Sequence, residues 1–129
     1  MDTDKHRSEF VAGELTHSIV GAAFEVVNAL GHGLHEKPYE NAMVVELVDR
    51  NFKVEQQAVY EIDYKGTSVG TFVPDLIVED EVIVDTKVID KITDHERGQM
   101  LNYLRITGLK IGLIINFKNP KLQWDRVIL

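Results

Sequence analysis

The sequence contains no cysteine. Disulfide staples and thiolate metal centres are therefore excluded, and any bound metal must use oxygen or imidazole donors. Long apolar runs are also missing: none approaches the ~20 residues that a membrane-spanning helix requires, so no membrane association is expected. The opening MDTDKHRSEF has no apolar segment behind a basic head and does not read as a secretory signal. A cytoplasmic protein is the expectation. Basic charge is scarce as well. Fourteen Lys and Arg stand against 21 Asp and Glu, a net charge of −7, whereas a protein that coats nucleic acid indiscriminately is usually basic. The acidic surplus weighs less against an enzyme whose carboxylates hold a divalent cation, because the ion cancels part of it. There is no internal repeat, no low-complexity tract and no phosphate-loop or dinucleotide fingerprint.

What is present suits a single globular domain over residues 1–129, with 44% hydrophobic residues and enough length to bury a core. Residues 1 to about 12 are polar and expected to be mobile. From Glu14 to Leu30, Leu15, Ile19, Ala22, Ala23, Val26, Val27 and Leu30 recur at helical spacing, and Gly31 and Gly33 stop the helix. Pro38 suits the first turn of a second helix that ends near Arg50-Asn51. Dense Val and Ile then predict three strands, at about 54–64, 69–79 and 81–88, turned by Lys65-Gly66 and by Glu79-Asp80-Glu81. A helix follows over 94–107, stopped by Gly108, and then strands over 110–117 and 122–129. Strands on both sides of a crossover helix predict an α/β (α+β) fold, a mixed sheet with helices packed on it.

One pattern carries chemistry. Asp85 and Lys87 stand in the apolar run VIVDTKVI, and Asp75 stands in FVPDLIV. Side chains alternate along a strand, so Asp85 and Lys87 share a face with Ile83 and Ile89. If residues 79–81 form a three-residue loop, Val78 faces Val82, Ile77 faces Ile83 and Leu76 faces Val84, apolar against apolar throughout. Asp75 then faces Asp85. A two-residue loop would put the carboxylates on opposite faces. Opposed carboxylates about 5 Å apart need a proton, a cationic neighbour or a metal. Lys87 supplies one positive charge, and a Mg²⁺ (or Mn²⁺) ion suits an all-oxygen donor set. A D-x-K pair alone is more often a solvated outer face. The joint pattern of Pro-Asp and Asp-x-Lys, in register on neighbouring strands, is what points to a site.

Pro74-Asp75 followed by Asp85-Thr86-Lys87 resembles the signature of the PD-(D/E)XK, or restriction-endonuclease-like, nuclease superfamily. The core order of that superfamily, helix–three strands–helix–strand, matches the elements above. Within it the chain is similar to the small bacterial and archaeal GxxExxY proteins. Gly33-Leu34-His35-Glu36-Lys37-Pro38-Tyr39 spells that motif, and YENAMVVEL, DYKGTSVG, GQMLNYLRITGLKIGLIINF and KLQWDRVIL extend the likeness from about Leu15 to Leu129. The resemblance implies a metal-dependent nuclease acting on DNA or RNA and leaving 5′-phosphate and 3′-hydroxyl ends. It implies Asp75, Asp85 and the Thr86 carbonyl as metal ligands and Lys87 as the group that orients water. It further implies Glu36 as an acidic contribution from the helical region, and Gln99 from the later helix. His95 stands four residues before Gln99 where the family pattern has three, and is left outside the site.

Several of these residues also have structural readings. Glu36 equally fits a helix N-terminus, and Gln99 an ordinary polar helix position. Glu40 and Glu46 are weaker acidic candidates. Tyr39 and Trp124 read as packing residues. The alternative function is a non-catalytic module of the same fold, acting through a protein partner or as a homodimer, which the small size and acidic charge favour.

Overall fold

The computed structural model describes residues 3–129, with side chains from Gly13 onward. The stretch 1 to about 12, expected to be mobile, lies outside the residues whose side chains are described. Helix α1 (Thr3–Leu30) begins within it, earlier than the expected start at Glu14. It ends where Gly31 turns left-handed (φ 79°) and its N–H caps the Val27 carbonyl at 2.8 Å. Helix α2 (Glu36–Asp49) carries Pro38 in its first turn and stops at Asn51, also left-handed (φ 68°).

The three strands expected between the second and third helices are five. The first breaks into β1 (Val54–Gln56) and β2 (Tyr60–Tyr64), because Gln57 turns left-handed (φ 60°). The second breaks into β3 (Thr67–Phe72) and β4 (Leu76–Val78) at Pro74, which cannot donate a ladder hydrogen bond. Strands β2 and β3 pair only with each other, through a turn in which Lys65 and Gly66 both have positive φ, as a tight hairpin requires. The remaining elements fall near their expected bounds: β5 (Val82–Lys87), α3 (Asp94–Thr107), β6 (Ile111–Asn116) and β7 (Gln123–Ile128).

The main sheet runs β1–β4–β5–β6–β7. Only β5 and β6 are parallel, and α3 is the crossover that joins them. The order helix–three strands–helix–strand is therefore present as α2, β1, β4, β5, α3, β6. The β2–β3 hairpin is an insertion and β7 an addition. Leu76, Val78, Val82, Val84, Leu113 and Ile115 face the helical layer of α1 and α2, packing with Ile19, Ala23, Met43 and Leu47. Ile77, Ile83, Ile114 and Val127 face the opposite way, toward Met100 and Leu104 of α3. A capping box at Thr93 and Glu96 starts α3, and left-handed Gly108 ends it.

Helix α3 lies so close to β6 that Gly112 has no room for a side chain. A methyl there would stand 2.3 Å from the Met100 Sδ atom, and Met100 is fully buried. Gly112→Ala is expected to cost about 1–3 kcal/mol by overpacking, seen as a lower Tm in a thermal melt. An unchanged Tm would show that α3 is seated farther from the sheet. Among the described residues no helix is long and apolar enough to cross a membrane.

Candidate active site

The β4–β5 turn decides which side chains meet. Glu79 and Asp80 both take positive φ, and the Glu81 N–H returns to the Val78 carbonyl at 3.0 Å. The resulting pairs are Val78 with Val82, Ile77 with Ile83 and Leu76 with Val84. This is the register of the three-residue loop. Continued by one step it brings Asp75 to Asp85. Strand β4 has ended by then, and the Asp75 carboxylate takes up the exposed edge of β5 instead. Its Oδ2 accepts from the Thr86 N–H at 2.9 Å and the Thr86 hydroxyl at 3.1 Å. Thr86 is itself buried.

Asp85 and Lys87 occupy the α3 side of β5, both half-buried, with Lys87 Nζ 3.4 Å from Asp85 Oδ2. Burial pushes the Asp85 carboxyl up to about 7. Lys87 opposes that rise, while Asp75 adds to it by its charge and by accepting a hydrogen bond from the protonated acid. Burial would lower the Lys87 ammonium, but Asp85 outweighs it and Glu36 and Tyr103 add smaller effects, so the group stays above its ordinary value.

Glu36, exposed at the start of α2, is close enough for its charge to act on Lys87. The GxxExxY loop holds it there. Tyr39 is fully buried, as expected, and stacks on Phe117 at 4.4 Å between ring centres. Its hydroxyl donates to the Gly31 carbonyl (2.7 Å) and accepts from the Leu34 N–H (3.0 Å). Gly33, at φ 83°, gives its N–H to the Phe117 carbonyl at 3.0 Å. The loop is thus fastened to the C-terminal end of β6, beside the end of β5 that carries Lys87.

Gln99 is half-buried on α3 and makes no side-chain hydrogen bond among the described residues. On α3, Glu96 feels the charge of Lys87, and Tyr103, four positions after Gln99, feels both carboxylates. Burial raises the Tyr103 phenol, and the charges of Asp85 and Asp75 raise it further. Phe72 of the inserted hairpin stacks on this ring, with centroids 3.9 Å apart. Tyr103 shares a helix face with Gln99 by the i, i+4 relation. Glu40, a weaker acidic candidate in the sequence, stands one turn after Glu36 on α2. It is 5% exposed. Burial would raise its carboxyl, but hydrogen bonds from Gln56, Gln57 and Lys37 hold it below the ordinary range. His95 is exposed and takes part only in the α3 cap, through its backbone N–H. Trp124, read as a packing residue, is 43% exposed on β7, the edge strand of the sheet.

The donor set is hard oxygen. Two carboxylates converge, and among the described residues no group of three or more His, Cys, Asp or Glu side chains gathers as a metal cage. That fits Mg²⁺, which commonly takes one or two carboxylates and completes its shell with water and substrate phosphate. It does not fit a closed structural site of four protein ligands.

Residues 13–127 match the sequence model of the PD-(D/E)XK nuclease superfamily. No curated protein matches. Among solved structures, an alkaline exonuclease (LHK-Exo) from Laribacter hongkongensis superposes with a TM-score of 0.54 at 14% identity, over 71% of this chain and 54% of that one. The protein SSO0001 superposes with a TM-score of 0.52 at 18% identity, over 97% of this chain and 61% of its own. At these identities the likeness is one of fold, and the chain spans a little over half the length of each.

Proposed function

The chain belongs to the PD-(D/E)XK nuclease superfamily, and from that premise we propose that it is a metal-dependent phosphodiesterase acting on DNA or RNA. The observation that carries this reading is the pairing of Asp75 and Asp85 beside Lys87, with the Asp85 carboxyl pushed up to about 7. Two half-buried carboxylates that repel each other are an arrangement that a divalent cation stabilises. Asp75, Asp85 and the Thr86 carbonyl would hold Mg²⁺ or Mn²⁺. When bound, such an ion activates water and offsets the charge that develops on phosphate oxygens.

The chain's own residues supply the rest. Asp75 is fixed in orientation by Thr86. Lys87, held by Asp85, presents ammonium donors that can orient a water for in-line attack and steady a phosphate oxygen. A water oxygen bonds to phosphorus as the bond to the leaving 3′-oxygen breaks, giving 5′-phosphate and 3′-hydroxyl ends. Glu36 at the rim adds a smaller charge effect on Lys87. Gln99 is assigned to the substrate side of α3, next to Tyr103. The hydrogen bonds of Gly33 and Tyr39, two positions of the GxxExxY motif, support a role for Glu36 between them.

The net charge of −7 favours a second reading, in which the fold acts through a protein partner or as a homodimer without cleaving. A panel of single- and double-stranded DNA and RNA, with Mg²⁺ or Mn²⁺ and with chelator, separates the two. Cleavage is expected with metal only, and none by Asp85→Ala. Cleavage that persists in chelator would sink the mechanism.

A further inference from the structure

Glu40 lies outside the cluster described above, yet among the described residues it is the one charged residue that is buried. It stands one turn after Glu36 and so projects from the same side of α2. A single oxygen, Oε2, accepts three side-chain donors: Gln56 Nε2 at 2.6 Å, Gln57 Nε2 at 2.9 Å and Lys37 Nζ at 3.0 Å. Two of those donors belong to consecutive residues at the end of β1. The second, Gln57, is held at φ 60°, a conformation that costs a non-glycine residue energy and needs outside support. The Gln57 N–H in turn donates to the Asp75 carbonyl at 3.1 Å. A continuous chain therefore runs from the buried carboxylate, through the left-handed residue, to the backbone of Asp75. Asp75 lies one residue beyond the paired part of β4, and the bond from Gln57 continues the β1–β4 register by one step. The other contacts described for it are those its carboxylate makes, with Thr86 and Asp85.

We propose that Glu40 is a positioning residue for Asp75: by gripping Gln56 and Gln57 it fixes the turn that keeps the Asp75 carboxylate on Thr86 and beside Asp85. This rests on the reading of Asp75 as a metal ligand, but its geometric part can be tested without metal. Glu40→Leu removes the acceptor. Gln57→Asn keeps a residue that tolerates the left-handed backbone but shortens the arm beyond reach, at an exposed position where folding is not at risk. Glu40→Gln retains an oxygen at the shared acceptor position and serves as the conservative rescue.

Amide hydrogen exchange followed by NMR reads the Thr86 N–H, whose partner is the Asp75 carboxylate, against the N–H of the fully buried Ile114 in β6. In Gln57→Asn and Glu40→Leu, Thr86 protection is expected to fall at least ~10-fold relative to Ile114, with Glu40→Gln close to wild type. Mn²⁺ titration should show an affinity about tenfold weaker in the first two variants, the scale of losing an outer-shell partner of a ligand. If Thr86 and Ile114 lose protection together, or if folded variants bind Mn²⁺ as tightly as wild type, Glu40 is merely structural and the proposal is overturned. Should the wild type itself take no Mn²⁺, the metal reading of the site falls, and the amide comparison alone decides the role of Glu40.

Discussion

Lys87→Ala is expected to lose phosphodiester cleavage by on the order of a hundred-fold or more while still binding Mn²⁺. The reasoning is a division of labour. The carboxylates hold the ion, whereas the lysine head acts on water and phosphate. The structure gives its side chain only 23% exposure and pairs it with a half-buried carboxylate. Its loss leaves Asp85 without a cation, so Asp85 retains its proton to still higher pH rather than remaining as an uncompensated charge. The variant should therefore fold, with metal binding displaced toward alkaline pH, where that proton is released. Single-turnover cleavage at saturating Mn²⁺, together with a Mn²⁺ titration at pH 8 or above, separates the two effects. Cleavage at wild-type rates in Lys87→Ala would remove this residue from the mechanism.

The second large effect concerns stability, pH and metal together. The Asp85 carboxyl rises from an ordinary 3.8 to about 7 in the folded chain. Below about pH 4 both folded and unfolded states hold the proton and the elevated value costs nothing. Between there and about pH 7 the unfolded chain ionises first, so stability falls as pH rises. Above about 7 the loss is complete. At roughly 1.4 kcal/mol per pKa unit, the loss amounts to a few kcal/mol. Asp85→Asn removes this term, so its Tm is expected to exceed that of wild type at pH 8 and to match it more closely near pH 4. Mg²⁺ or Mn²⁺ should restore the wild type at pH 8, by about 2.7 kcal/mol when the ion is a hundred-fold above its Kd, and should leave Asp85→Asn unmoved. The metal-induced rise in Tm should shrink as pH drops through 7, because protons compete for the same oxygen. Melting curves of wild type and variant at several pH values, with and without metal, test all of this. A wild-type Tm that ignores metal across that range would favour the interaction-module reading.

The β4–β5 register could be read in advance because it rests on a strict rule. Apolar residues fill both strands from Leu76 to Val84, and a shift by one would have turned Asp85 away from Asp75. Helix α3 was legible to its ends for a similar reason: Thr93, Glu96 and Gly108 are local stop and start signals. The kinks at Gln57 and Pro74 were not. No turn signal interrupts the stretch from Val54 to Tyr64, and nothing local to Gln57 demands a positive φ; the support comes from Glu40, 17 positions earlier. The same applies to Tyr103 and Phe72, which meet because the inserted hairpin folds back on α3. Contacts set by a single strand pair were visible in the sequence. Those that need a third element were hidden in it.

The way β4 stops has a practical consequence for anyone who wishes to disarm this protein. Asp75 is both a candidate ligand and the group that occupies the Thr86 N–H where the strand ladder runs out. Chemistry and architecture share one carboxylate. Truncating Asp75 would silence the site and open the sheet edge at once, and a dead variant could not reveal which had happened. Asp85 pairs with Lys87, but among the described residues its carboxylate takes up no backbone N–H of the sheet. Its side chain is a cost to the fold rather than a support, so a neutral replacement there leaves the scaffold intact. An inactive form made at position 85 is therefore the one to use for trapping whatever the protein binds.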